Sequence, residues 1–308
     1  MSAHDWTYVV FGILITLALI FDLGLLSKRS KKVSIKQALV QTIFWVTIAV
    51  GFFIFIWFED GQMQALEYIS AYLMEWSLSI DNIFVFILIF TYFGVAEEYY
   101  NRVLLLGILL AIFLRIIFIT VGVVLVQKFA WLLYLFGGFL IYTGIKMFLI
   151  NDENEFEPEK SSVYKLIKKL VPLTKNISDG KFYKIIDGKK YYTMLFIVLV
   201  MLATTDIVFA LDSIPAVFAI TQTKMIIYTS NIFAVLGLRS LFFLLKGAVS
   251  KFRYLKEGIA VVLIFIGLKM LIEYVDIHIP IWVSLLVIVC CISGAILLSA
   301  LKPKASGH

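Results

Sequence analysis

The sequence predicts an all-α membrane protein with about nine transmembrane helices, each long enough for a bilayer core of about 30 Å. Three observations lead there. The 308 residues are 62% hydrophobic and 16% charged, with a mean hydropathy of +0.98; a soluble globular chain is roughly half apolar and a quarter charged. The apolar residues fall into runs separated by short polar connections. The basic residues gather in alternate connections, as the positive-inside rule requires.

The runs cover residues 6–26, 37–58, 68–93, 103–126, 129–150, 193–220, 226–247, 256–275 and 279–301. The first has no basic segment before it and a basic cluster after it, so it reads as a retained helix rather than a cleaved signal peptide. Lys28, Arg29, Lys31, Lys32 and Lys36 follow that helix, nine lysines lie between Lys160 and Lys190, and Lys251, Arg253, Lys256, Lys302 and Lys304 come later. With nine spans all of these fall on one side. The other side receives Glu59, Asp60, Lys128, Lys224, Glu273 and Asp276, which places the N-terminus outside and the C-terminus in the cytoplasm. The pI near 9.1 therefore reports orientation, and no nucleic-acid partner is expected.

The chain contains itself twice. "EWSLSIDN" (Glu75 to Asn82) matches "DIVFALDS" (Asp206 to Ser213): a carboxylate, five residues, an aspartate and a small polar residue. Arg115 and Arg239 follow in the two copies, and then "LIYTGIKMF" (Leu140 to Phe148) and "LIFIGLKML" (Leu263 to Leu271). Each copy spans three helices, an odd number, so the second must enter the membrane from the opposite side. That predicts an inverted-topology repeat, an arrangement transporters use to build a midplane site. The expected divisions are two N-terminal helices (1–66), the first repeat (67–150), a cytoplasmic loop (151–192), the inverted second repeat (193–275), and a last helix with its tail (276–308).

Within the loop, "NDENEFEPEK" is acidic, "VYKLIKKLV" has the apolar and basic faces of a surface helix, and "KFYKIIDGKKYYT" reads as a hairpin around Asp187 and Gly188. No P-loop, GxGxxG, HExxH or GxSxG is present, and an intramembrane aspartyl protease is disfavoured by the lack of GxGD. The chain is not expected to be an enzyme. Cys290 and Cys291 are adjacent in an apolar run and read as helix-packing residues.

The candidate site is the set of carboxylates Glu75, Asp81, Asp206 and Asp212. Each charge at the bilayer centre costs on the order of 2.5–3.5 kcal/mol, so four are not expected without a task. Arg115 and Arg239 are candidate charge partners, and a purely structural pairing would neutralise only two of the four. His4, His278 and His308 lie near chain or helix ends, leaving zinc and copper preferences unmet. Asn82, Ser79, Thr205 and Ser213, with Ser77 and Thr204, supply hard oxygen suited to Mn²⁺, Mg²⁺ or Ca²⁺. A proton would also neutralise a carboxylate there, which suggests metal–proton exchange. Asp22, about a turn from the basic loop, reads either as an interfacial carboxylate or as part of the site.

Residues six apart on a straight helix differ by about 120° around the axis and about 9 Å along it. Glu75 and Asp81 therefore serve one ion only if the helix is interrupted, or else serve two levels. Pro215 removes the amide that would bond the carbonyl of Leu211 and marks a candidate break in the second copy alone. With regular helices, inversion groups Glu75 with Asp212 at an outer level and Asp81 with Asp206 at an inner one.

These paired motifs, the downstream arginines and the basic loop closely resemble the TerC family of bacterial membrane proteins, in its Alx-like branch, within the LysE-type exporters. The resemblance implies a multi-pass protein of the bacterial inner membrane that exports Mn²⁺, with no tightly bound cofactor. It places the family's acidic positions on Glu75, Asp81, Asp206 and Asp212, with adjoining polar positions on Asn82 and Ser213. It also allows another reading, a membrane biogenesis or metallation factor that docks membrane-protein partners through the cytoplasmic loop.

Overall fold

The structure, a computed structural model, describes residues 3–21, 33–129, 131–149, 162–174, 180–186, 188–246, 254–272, 277 and 279–301. The elements run α1 (Ala3–Phe21), α2 (Ile35–Glu59), α3 (Gln62–Tyr92), α4 (Glu97–Lys128), α5 (Leu132–Leu149), α6 (Ser162–Leu170), β1 (Tyr183–Ile186), β2 (Lys189–Tyr192), α7 (Met194–Phe218), α8 (Lys224–Lys246), α9 (Leu255–Ile272) and α10 (Ile281–Leu301). Among the described residues seven helices are long and apolar enough to cross a membrane: α2, α3, α4, α5, α7, α8 and α10. The apolar run of α1 is shorter, Trp6–Ile20. α9 is apolar between its ends but carries Lys256, Glu257 and Lys269.

Local chemistry sets several boundaries. Ser34 opens α2 with a capping box, its hydroxyl accepting from the Gln37 amide while the Gln37 side chain returns to the Ser34 amide, which satisfies two orphan donors. Between α2 and α3 the chain reverses at Gly61, whose φ of 103° suits glycine. The expected hairpin is present: β1 and β2 pair antiparallel, with Gly188 at φ 74° in the turn. The segment expected to form a surface helix is helical, as α6.

α8 is buried along most of its length. α2 and α4, which pack on it, and α5 and α10, which pack on α9, present large apolar side chains outward, among them Phe113, Val121, Leu135, Tyr142, Leu286 and Leu297. So broad an apolar skin suits lipid contact. Cys290 belongs to that skin, correcting its reading as a packing residue, whereas the half-buried Cys291 does pack on the core.

Helix directions follow from who touches whom. Tyr68 meets Phe233 and Phe90 meets Phe242, so α3 and α8 run parallel. A Cβ on Gly107 would meet Leu202, and one on Gly122 would meet Phe218, so α4 and α7 also run parallel. In contrast, Gly137 lies against Gly267, and Gly144 against Ala260 and Ile264, so α5 and α9 are antiparallel. Their backbones meet closely: a Cβ on Gly267 would come within 2.6 Å of the Gly137 carbonyl oxygen. Small residues permit that approach between membrane helices.

The interrupted-helix alternative is not observed. α3 is continuous through Glu75 and Asp81, and α7 continues through Pro215. A proline in an apolar helix deprives one carbonyl of its partner without ending the helix when neighbouring helices support it.

Candidate functional site

Glu75, Ser79 and Asn82 stand at i, i+4 and i+7 on α3, one stripe of the helix. Asp206 and Ser213 repeat the i, i+7 part of that stripe on α7. All five are buried. Asp206 is the middle residue of α7, and Glu75 lies two residues before the middle of α3.

Arg115 reaches both carboxylates from α4. Its Nε donates to Asp206 Oδ2 at 2.7 Å and its Nη2 to Asp206 Oδ1 at 2.9 Å, the bidentate fork that a guanidinium offers a carboxylate. Nη1 donates to Glu75 Oε1 and to Asn231 Oδ1 at 3.1 Å. Asn231, on α8, completes the ring by donating from Nδ2 to Glu75 Oε2 at 3.0 Å. Four helices thus contribute one side chain each, and none of the four is more than 2% exposed. One guanidinium facing two carboxylates leaves a formal negative charge uncompensated within the quartet. Buried ion pairs are weak evidence of stability, because desolvation offsets much of their attraction.

Three hydroxyls in the same interior, Ser77, Ser79 and Ser213, have no hydrogen-bond partner among the described residues. Helical serine usually returns its hydroxyl to the carbonyl four residues back, as Ser70 does to Leu66 at 2.7 Å. A void of about 10 Å³ touches Asp206 among Gly107, Ala111 and Leu202, at the lower limit for one water.

The structure therefore brings together Glu75, Asp206 and Arg115. It buries Ser79, Asn82, Ser213 and Arg239 and leaves Thr205 half-buried. Asp81 and Asp212 lie on α3 and α7, with side chains outside the described set, and Asp22 lies outside the described residues. Among the described residues no three His, Cys, Asp or Glu side chains converge on a metal-sized site.

The two-level grouping separated Glu75 from Asp206, and the structure joins these two on one guanidinium; its other members, Asp81 and Asp212, have side chains outside the described set. Antiparallel helices that cross near their middles place equivalent central residues at one depth. Depths separate only for residues away from the crossing.

Sequence reading missed Asn231. Repeat matching could not find it, since the equivalent position eight residues before Arg115 is Gly107. The available signal was the polar triplet Thr229, Ser230 and Asn231 in an apolar helix. Thr229 and Ser230 bond back to their own helix, to Met225 O and Ile227 O, whereas Asn231 reaches across.

Several proteins resemble this chain over most of its length. An uncharacterized membrane protein of Myxococcus xanthus, STKORF319, is 43% identical over 300 residues, 97% of this chain and 92% of that protein. An uncharacterized membrane protein of Rickettsia felis is 42% identical over 302 residues, 98% and 100% of the two chains. A Salmonella typhi protein named as a candidate membrane-bound redox modulator, Alx, is 42% identical over 285 residues, 89% and 88%. No solved structure matches significantly. Residues 60–306 match the family described as "Integral membrane protein TerC family", a span that takes in α3, α4, α7 and α8 with the whole quartet, and the chain is a multi-pass membrane protein that belongs to the TerC family.

Proposed function

We propose that this protein is a transporter that exports a divalent metal cation, Mn²⁺ being the best match, in exchange for protons. The observation that carries the reading is the Arg115 guanidinium, held by Glu75 and Asp206 away from solvent. A cationic side chain there stands in for the charge of a cargo ion. Metal entry requires the carboxylates to exchange Arg115 for the metal, and metal departure returns them to Arg115 or to protons.

Oxygen donors support a hard cation. Glu75, Asp206, Asn231 and the unpartnered Ser79 and Ser213 hydroxyls offer oxygen alone, suited to Mn²⁺ and Mg²⁺. Asp81 and Asp212 complete the proposed four-carboxylate set, and Arg239 is the proposed second charge partner.

The inverted repeat is part of the same proposal. It is supported by α3 running parallel to α8, α4 parallel to α7, and equivalent α5 and α9 antiparallel. The proposed topology keeps nine spans, adding α1 and α9 to the seven, with the N-terminus outside by charge asymmetry. Export as the direction rests on family resemblance.

The test is Mn²⁺ flux in proteoliposomes under an imposed pH gradient. Flux that follows the gradient and moves protons in return supports exchange; absence of flux, or flux indifferent to pH, rejects it.

A docking role is the second reading, favoured by the exposed apolar residues Tyr183, Ile185 and Ile186 beside the lysines of the hairpin. Substituting Ile185 and Tyr183 with serine would abolish a docking function and leave carboxylate-dependent flux intact. The redox role in the Alx name would run through Cys290 and Cys291, the chain's two cysteines, and would vanish in the double serine variant.

A further inference from the structure

Where α3 begins and α7 ends, a cavity of about 240 Å³ opens at one end of the bundle. Its walls include Glu67 of α3, Lys269 of α9, and Thr221 and Gln222 from the connection after α7. Glu67 lies eight residues before Glu75 on the same helix, about 12 Å along its axis. Unlike Glu75 it is only half-buried. Its carboxylate is positioned: Thr221 Oγ1 donates to Glu67 Oε2 at 2.5 Å, and the Thr223 amide donates to Thr221 Oγ1 at 3.1 Å.

The cavity therefore sits at the ends of the two helices that carry the buried carboxylates, on the side assigned to the outside by charge asymmetry. Its oxygen donors match the buried site in kind and fall short of it in number. Lys269 donates to Ser284 Oγ at 3.1 Å, and its ammonium in the same cavity weakens any cation bound there. Weak binding is what a release position needs, since a pathway must let its ion leave. Lys269 also belongs to the recurring "GIKM"/"GLKM" landmark, to which the central site gives no role.

We propose that this cavity is a second, low-affinity divalent-cation site at the outer mouth of the pathway, with Glu67 as its carboxylate ligand and Thr221 and Gln222 as neutral oxygen donors. The proposal rests on the transport reading above. In it the exported ion passes from the buried carboxylates to Glu67 before entering solvent, and Lys269 hastens its departure.

The test is equilibrium binding of Mn²⁺ to the full chain in nanodiscs, paired with flux measured separately from each face. Two classes of site are expected. Glu67→Gln removes the weaker class, spares the tighter one, and raises the KM for Mn²⁺ supplied from the outer face several-fold while leaving the inner-face KM unchanged. Thr221→Val, which removes one neutral donor and leaves the carboxylate, lowers the affinity of the weaker class without abolishing it. A single class in the wild type, a weaker class that survives Glu67→Gln, or an equal KM change from both faces overturns the proposal. A wild type that binds two classes but carries no flux defeats the transport reading instead, so the two failures are distinguishable.

Discussion

Arg115 grips Asp206 by both carboxylate oxygens, at 2.7 and 2.9 Å, and with its remaining Nη1 reaches Glu75 on another helix. The planar fork matters here, because lysine offers a point charge with no bidentate geometry. Replacing Arg115 with methionine keeps much of the volume and leaves two facing carboxylates without their shared cation. The expected loss is about 3–5 kcal/mol in metal-free protein. If the arginine stands in for cargo, saturating Mn²⁺ restores much of that loss, since a ligand of the native state stabilises it. Tryptophan fluorescence during thermal unfolding, with and without Mn²⁺, reads both effects. Equal destabilisation in the two conditions would show that Arg115 holds helices together and nothing more.

Asp206→Asn and Asp81→Asn should each abolish flux while leaving the protein inserted and folded. The amide preserves volume and removes the charge that offsets a bound cation. Proteoliposome flux normalised to protein content is the measurement, and near-wild-type flux in either variant removes that carboxylate from the transport path.

Asn231→Leu tests the residue that bridges the two halves. It leaves Glu75 Oε2 without its 3.0 Å donor, and an unpaired buried polar group costs about 1–3 kcal/mol. Both stability and Mn²⁺ affinity should fall, with Asn231→Gln recovering part of each. Unchanged affinity in the leucine variant would confine Asn231 to helix packing.

How much of this was legible in the sequence depends on what kind of signal carried it. The helices were legible because a bilayer demands long apolar runs; even the least apolar long segment, α6 through the hairpin, announced itself by alternating chemistry and an Asp-Gly turn. Glu75, Asp206 and Arg115 were legible because charge inside such runs is costly and these charges recur. Their meeting on one guanidinium was not. It depends on where α3 and α7 cross, which the i, i+6 spacing does not encode. Glu67 escaped notice for a related reason: at the end of a span a carboxylate looks like ordinary interfacial charge until the fold places Thr221 against it.

The α5–α9 contact gives a stability test independent of the carboxylates. Gly267→Ile would force a branched side chain against a carbonyl that even a Cβ approaches within 2.6 Å, and overpacking of this kind costs about 1–3 kcal/mol or more. Gly138→Ile, whose Cβ meets nothing within 4 Å, is the matched control on the neighbouring helix. Size-exclusion after stepwise heating should show early loss of the folded peak for the first variant alone. Comparable melting of both would mean that α5 and α9 are not in close backbone contact.

Orientation can be decided with single cysteines introduced after replacing Cys290 and Cys291 by serine. Thr223 and Gly61 lie at the ends of helices on the side where α3 begins, and Tyr183 and Lys189 lie on the hairpin before α7. The basic loops and the positive-inside rule assign the hairpin to the cytoplasm. A membrane-impermeant maleimide added to intact cells should therefore label Thr223→Cys and Gly61→Cys, and should label Tyr183→Cys and Lys189→Cys only after the membrane is opened. Parallel packing of α3 on α8 requires Gly61 and Thr223 to share one side whatever the sign of that side, so opposite labelling of these two would contradict the packing itself. Labelling of all four positions with the sides exchanged would leave the fold intact and reverse the orientation, turning the cavity at Glu67 into the cytoplasmic entrance.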